Sequence, residues 1–232
     1  MTTVGTKNDE PRVQWLRKAL AAIPAGHRIL DAGAGEQRFK KFCSHLNYVA
    51  QDFAQYDGKG NEAGLQTQTW DQSKLDIVSD ITAIPEPDAS FDAIFCVEVF
   101  EHLPDPVLAI KEFSRLLKPG GALILTAPFC SLTHFAPYHF STGFTRYYYE
   151  HHLPANGFAI QEISANGNFF EYVAQELRRS GSVGRQYAGQ RSRKWESLAM
   201  RVVLRMLQRF SDCDTRSSEL LHFGYHVKAV KL

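Results

Sequence analysis

The sequence predicts an α/β protein built on a doubly wound, mostly parallel sheet. Three observations carry this. Short apolar runs alternate with stretches of helical period over residues 11–127, the order expected of successive βαβ units. A turn with two glycines, Gly33-Ala34-Gly35, ends the first apolar run. Acidic residues stand at the ends of the next two runs, Asp52 and Asp80, where an open α/β sheet presents its ligand.

Residues 11–23 place Val13, Leu16, Ala19, Leu20 and Ile23 on one helical stripe. Residues 27–32 form the first strand, residues 38–46 a helix, and residues 48–53 the second strand. Polar, glycine-bearing residues 54–74 predict a long loop. Residues 75–81 are the third strand. Residues 91–99 are almost wholly apolar, which suits a central strand buried on both faces. Residues 104–117 are a helix with proline at its start, stopped by Pro119-Gly120-Gly121. Residues 122–127 are the fifth strand. Beyond it, residues 130–144 are rich in His, Pro, Gly and aromatics. A helix is expected over 147–153 and a strand over 158–163. Residues 168–210 read as mostly helical with a break around 181–189, and residues 222–232 as a final strand.

The chain has 232 residues, with 26 basic and 25 acidic side chains and a net charge of +1. With 44 % apolar and 22 % charged residues, it has the balance of an ordinary globular protein rather than a disordered or fibrous one. Near-zero net charge makes no global case for nucleic acid as a partner. No apolar run is long enough to span a membrane, and residues 1–10 lack the pattern of a signal peptide. Cys43, Cys96, Cys130 and Cys213 stand far apart with no C-x-x-C pair, so neither a zinc pattern nor a disulfide framework is expected. Reduced thiols and a cytoplasmic location follow as expectations.

The glycine turn allows tight backbone curvature and close approach of a ligand. It is not the dinucleotide fingerprint G-x-G-x-x-G, because the sixth position is Arg38. Asp31 before the glycines fits a ligand carrying ammonium and sulfonium cations better than a pyrophosphate.

At Ile29 to Gly35, Gln51-Asp52-Phe53, Ser79-Asp80-Ile81, Phe91 to His102 and Leu117 to Pro128, the chain resembles the class I S-adenosylmethionine-dependent methyltransferases, in the branch called methyltransferase type 11. The resemblance covers roughly residues 25–165. It implies a Rossmann-like seven-stranded sheet with an antiparallel last strand and a helical insertion before it. The implied cofactor is S-adenosylmethionine, with S-adenosylhomocysteine as its product and no metal. It also implies roles. Asp31, Gly33 and Gly35 would face the methionine part of the cofactor. Asp52 would accept hydrogen bonds from both ribose hydroxyls. Phe53 would pack on adenine, Asp80 would accept from its amino group, and the Ile81 amide would face a ring nitrogen. The backbone of Val97, Glu98 and Val99 would border the methionine moiety. Members often carry a third glycine where this chain has Gln37.

The acceptor must be positioned, shielded from water and, if a hydroxyl, deprotonated. His102, His134 and His139 are the candidate bases, since imidazole titrates near neutral pH, with Glu101 a weaker candidate. Tyr138, Arg146 and Tyr147 are candidate acceptor contacts. The strand end Val97-Glu98-Val99-Phe100 lacks the Asn/Asp-Pro-Pro-Tyr/Phe motif of amino methylation on DNA bases. A small-molecule acceptor is expected, a saccharide or its carrier-linked, phosphate-bearing form, with oxygen favoured over nitrogen. The rival readings are a nicotinamide-dependent oxidoreductase, a cofactor-binding scaffold without turnover and a nucleic-acid modifier.

The expected organisation is an N-terminal tail and helix over 1–24, a core over 25–166 and 220–232, and a basic helical insertion over 167–219. Between residues 178 and 210 stand nine basic residues and one acid, Glu196. Trp195, Leu198, Val202, Met206 and Phe210 form an apolar stripe beside Arg201, Arg205 and Arg209. Packing on the domain or on a twin subunit is favoured over peripheral membrane contact. Monomer and homodimer remain open.

Overall fold

The computed structural model describes residues 2–232. Seven strands, β1 (Arg28–Ala32), β2 (Asn47–Asp52), β3 (Ile77–Val78), β4 (Phe91–Val97), β5 (Leu117–Pro128), β6 (Phe158–Asn166) and β7 (Gly224–Lys231), form one sheet. Their order is β3-β2-β1-β4-β5-β7-β6. The pairs β2–β3, β1–β2, β1–β4 and β4–β5 are parallel, and β5–β7 is antiparallel. This is the Rossmann-like mixed sheet the sequence predicts. The strand order reverses between β1 and β4, so a crevice is expected beyond their carboxyl ends. The helices are α1 (Asp9–Ala21), α2 (Pro106–Leu116), α3 (Arg146–Ala155), α4 (Phe169–Tyr187) and α5 (Lys194–Asp212).

The chain divides into two compact units, one of residues 13–164 and 224–232, the other of the N-terminal residues through 12 and 165–223. In the first unit, successive residues of the central strands point to opposite faces. Leu30, Ile94, Cys96, Leu123 and Leu125 pack with Ile110 and Phe113 of α2 and Tyr149 and Leu153 of α3. Ile29, Ala93, Phe95 and Ile124 pack on the other face with Leu16, Ala19 and Leu20 of α1. Both faces are covered, which is why β4 reads as a continuous apolar run. In the second unit, Ala174 of α4 and Leu204 and Leu207 of α5 enclose Val4. Gln208 accepts hydrogen bonds from the Thr3 and Val4 amides at 3.0 and 2.8 Å, and Arg178 donates to the Val4 carbonyl at 2.8 Å.

Local chemistry explains two of the helix starts. Asp105 caps α2 by accepting from the Val107 amide at 3.1 Å, with Pro106 in the first turn. Asn168 caps α4 in the same way through Glu171.

Four expectations need correction. Residues 38–46 form no α-helix, only turns and a short 3-10 segment at Lys40–Phe42. Phe39 and Phe42 pack against the second core face from this irregular path. The third strand shrinks to Ile77–Val78, because this edge position pairs only with Gln51 and Asp52. Pro119-Gly120-Gly121 does not separate helix from strand. It lies within β5 as an irregularity, since Phe91 pairs with Leu117 while Ala93 pairs with Ala122. Finally, α4 runs through Gly181 and Gly184 and ends at Tyr187. The left-handed backbone needed to leave it is supplied by Gly189, at φ 62°.

Phe113 is fully buried and stacks on Phe100 at 6.4 Å between centroids. Phe113→Ala is expected to cost about 3–5 kcal/mol, read as a lowered urea midpoint with an unchanged slope.

Candidate active site

The site begins at the turn after β1. Gly33 and Gly35 both have left-handed backbone, at φ 78° and 49°. The amides of Gly33 and Ala34 both donate to the Gln51 carbonyl, at 2.9 and 2.8 Å. A Cβ on Gly33 would stand 2.5 Å from Val99 Cγ2, and one on Gly35 would stand 2.6 Å from Trp70 Cζ2. Backbone conformation and close contact therefore both require glycine here. Gln37, standing where a third glycine is common, is itself left-handed at φ 57°. Its side-chain amide donates to the Lys74 carbonyl, which anchors an unfavourable backbone.

Asp31 is buried at the end of β1. Burial pushes its carboxyl up to about 7; the hydrogen bond from the Tyr48 hydroxyl at 2.6 Å opposes this and the charge of Asp52 adds to it. A buried carboxylate held this far from its ordinary range is one that a cation would satisfy.

Asp52 closes β2. Its Oδ2 accepts from the Gly35 amide at 2.9 Å, and its Oδ1 accepts from the Ala54 amide at 3.0 Å and the Gln72 side chain at 3.1 Å. Segment 54–76 thus lies against the glycine turn, with Trp70 on Gly35 and Gln72 on Asp52. Asp80 is exposed, and its Oδ1 caps Thr82. Ile81 is buried beside it. Phe53 meets Tyr138 edge to face at 5.0 Å. At the end of β4, Glu98 is left-handed at φ 55° and accepts from the Thr126 hydroxyl at 2.8 Å. Val97 precedes this bend, and Val99 covers Gly33.

The three candidate histidines converge. His102 and His134 have centroids 4.6 Å apart, and His134 and His139 4.9 Å. Glu101, only 1 % exposed, sits beneath them. Its Oε1 is 3.8 Å from His102 Nε2 and 3.7 Å from His134 Nε2. The ring tautomers follow from backbone acceptors: His102 Nδ1 donates to the Tyr138 carbonyl at 2.5 Å, and His134 Nδ1 donates to the Leu132 carbonyl at 2.8 Å. His139 Nε2 lies 3.2 Å from the Ser131 hydroxyl. Burial pulls His102 down to about 4, with the charge on His134 adding to the effect. Burial also pulls on His134, but its bond and charge interaction with Glu101 outweigh this and leave it above the ordinary value. Glu101 is raised, chiefly by burial. His139 is lowered by burial and by the charge on His134.

Two segments close over these groups. Residues 54–76 and 131–142 are joined by backbone bonds from Asn61 to Ala136 and from Leu65 to Thr133, both 3.0 Å. Tyr56 stacks on Phe135 at 4.5 Å, Trp70 meets Phe135 at 5.2 Å, and Phe135 stacks on His102 at 5.1 Å. This aromatic chain ties the glycine turn to the histidines. Arg146 pairs with Glu150 of its own helix at 2.6 Å, and Tyr147 is exposed.

Sequence reasoning assigned no part to Tyr48, Trp70 or Gln72 and ranked Glu101 below His102. A tryptophan in an otherwise polar, glycine-bearing loop is the one signal that could have pointed to segment 54–76.

Comparison with known proteins finds relatives of part of this chain and of its fold. Residues 30–125 match the family model described as a methyltransferase domain. The ubiquinone biosynthesis O-methyltransferase of Xanthomonas oryzae pv. oryzae (strain PXO99A) is 37 % identical over 105 residues, covering 44 % of this chain and 43 % of that one. The protein of the same name from Xanthomonas campestris pv. campestris (strain B100) is 35 % identical over 111 residues, covering 47 % and 45 %. The match spans less than half the length of these curated relatives. Among solved structures, a putative sarcosine dimethylglycine methyltransferase from Galdieria sulphuraria superimposes with a TM-score of 0.57 at 14 % identity, over 95 % of this chain and 85 % of that one. Phosphoethanolamine N-methyltransferase 2 of Haemonchus contortus, in complex with S-adenosyl-L-methionine, gives 0.56 at 17 % identity, over 95 % and 52 %. These structures share the fold.

The burial of Asp31 has a measurable consequence. Below about pH 3 the carboxyl is protonated in both folded and unfolded chains. As pH rises from 3.8 to about 7, only the unfolded chain releases the proton, so stability from this group is lost across that interval, on the order of 4 kcal/mol. Asp31→Asn is expected to be more stable than the parent at pH 8 and equal to it near pH 3, measured by urea unfolding at both values.

Proposed function

We propose that this chain, whose residues 30–125 match the family model described as a methyltransferase domain, transfers a methyl group from S-adenosylmethionine to a hydroxyl of a small molecule. The observation that carries this is the buried, cation-seeking Asp31 beside the Gly33–Gly35 turn and the ribose-ready Asp52. The donor set fits the cofactor: a carboxylate for the ammonium group, a carboxylate acceptor for a diol, and a backbone turn free of side chains. When bound, the cofactor supplies the methyl electrophile on its sulfonium sulfur.

The chain's own groups divide the remaining work. Asp31 holds the cationic amino-acid end. Asp52 exchanges the Gln72 amide for the ribose hydroxyls, so segment 54–76 must give way and then reclose. Asp80, through the oxygen not used to cap Thr82, takes the adenine amino group. Ile81 and Phe53 flank the base, and the backbone of Val97, Glu98 and Val99 borders the methionine side. The aromatic chain Tyr56–Trp70–Phe135 excludes water.

For the acceptor, His134 has the chemistry of a general base. Its Nδ1 proton is tied to the Leu132 carbonyl, so in the neutral ring the lone pair is on Nε2. That nitrogen takes the hydroxyl proton, and Glu101 at 3.7 Å stabilises the imidazolium that forms. His102, held neutral by burial with its proton on Nδ1, fixes the Tyr138 backbone. His139 lines the same space. The aromatic face of Tyr138 supports a saccharide acceptor, which is stackable. The names of the Xanthomonas relatives make a ring hydroxyl the competing acceptor class.

Calorimetric titration is expected to show cofactor binding that weakens at least about tenfold, or ~1.4 kcal/mol, in Asp52→Ala. No heat and no thermal shift with S-adenosylmethionine or S-adenosylhomocysteine would overturn the assignment. His134→Gln should lower kcat by about 10²–10⁴ while leaving cofactor affinity unchanged. Because Glu101 raises His134, Glu101→Gln should move the acidic limb of the pH–rate profile to lower pH. A panel of saccharides against catechols and phenols decides the acceptor class.

A further inference from the structure

We propose that the outer face of α5 is a docking surface for an anionic phospholipid bilayer. Helix α5 buries Leu204 and Leu207 against α4 and Val4, so its packing face is already in use. The opposite face remains uncovered. Trp195 is 64 % exposed, Leu198 62 % and Val202 58 %, and Met206 and Phe210 continue the row. Three- and four-residue steps keep these side chains on one stripe of the helix.

A cationic row runs along one edge of that stripe. Lys194, Arg201, Arg205 and Arg209 lie beside it at helical spacing. None of Arg201, Arg205 and Arg209 pairs with a carboxylate among the described residues. The single acid in the first turn, Glu196, is engaged with the Arg193 amide at 2.7 Å. Arg209 lies over the Phe210 ring at 5.5 Å, its apolar stem along the stripe and its charge at the edge. At the head of the helix, a shallow cleft of about 390 Å³ is lined by Ser192, Lys194, Ser197, Leu198 and Arg201. Two cations and two hydroxyls there match the chemistry of a phosphate headgroup.

Charge decides the occupant. A second copy seated on this stripe would bring two cationic rows together, with no acidic row to meet them. An anionic bilayer supplies both an apolar interior for Trp195, Leu198 and Val202 and phosphates for the arginines. No helix among the described residues is long and apolar enough to cross a membrane, so contact would lie in the interfacial plane.

The test is sedimentation of the full chain with vesicles of phosphatidylcholine alone and with roughly 30 mol % phosphatidylglycerol. Binding is expected with the anionic vesicles only, falling with salt, with a blue shift of tryptophan emission that Trp195→Phe removes. The triple variant Arg201→Gln, Arg205→Gln, Arg209→Gln and the double variant Leu198→Ser, Val202→Ser should each bind at least about tenfold more weakly. All these positions are exposed, and unchanged melting temperature and cofactor affinity would show intact folding. Absence of cofactor binding in the parent would fail the methyl-transfer reading and leave this surface standing. No sedimentation with anionic vesicles would overturn the proposal. So would equal binding to both compositions, or a dimer whose formation the Leu198→Ser, Val202→Ser variant abolishes.

Discussion

The burial of one carboxylate organises the candidate site. Asp31 sits at the end of β1, between β2 and β4, where the strand order reverses. A charged group there lacks water, and the Tyr48 hydroxyl offsets only part of that loss. The glycine turn that follows has no side chains with which to cover it, and Val99 and Trp70 close the turn from either side. An acid kept in such a place costs the fold stability once the pH exceeds the ordinary carboxylate range, and carboxylates perturbed in this way cluster at binding sites.

The second organising feature is the convergence of segments 54–76 and 131–142 over the strand ends. Neither segment has regular structure, yet each is fixed by specific bonds: Gln72 on Asp52, Leu65 on Thr133, and the stacked rings of Tyr56, Phe135 and His102. One aromatic chain touches both the glycine turn and the histidines.

The helical unit follows a separate logic. Its inner face encloses Val4, while its outer face leaves large apolar side chains and unpaired arginines in solvent. Scattered exposed apolar residues are ordinary, but a contiguous row flanked by one sign of charge is not.

The fold was legible in the sequence because its signals are local. Period-two and helical-period hydrophobicity, the Asp105 cap with Pro106, and the two glycines after β1 each depend on neighbours in the chain. The sheet and the acids at its strand ends could therefore be placed in order. The expected helix over 38–46 failed because the same apolar spacing serves an irregular segment whose Phe39 and Phe42 reach the core. Tertiary structure alone decided the rest. Only folding brings Trp70 against Gly35, Gln72 onto Asp52, and His134 beside Glu101, since these pairs are distant in sequence and no periodicity links them. Likewise, composition located the stripe on α5, but only packing could show which of its faces is spent on the core. A side chain's proton affinity obeys the same division: residue type sets where Asp31 and His102 begin, and burial decides where they end.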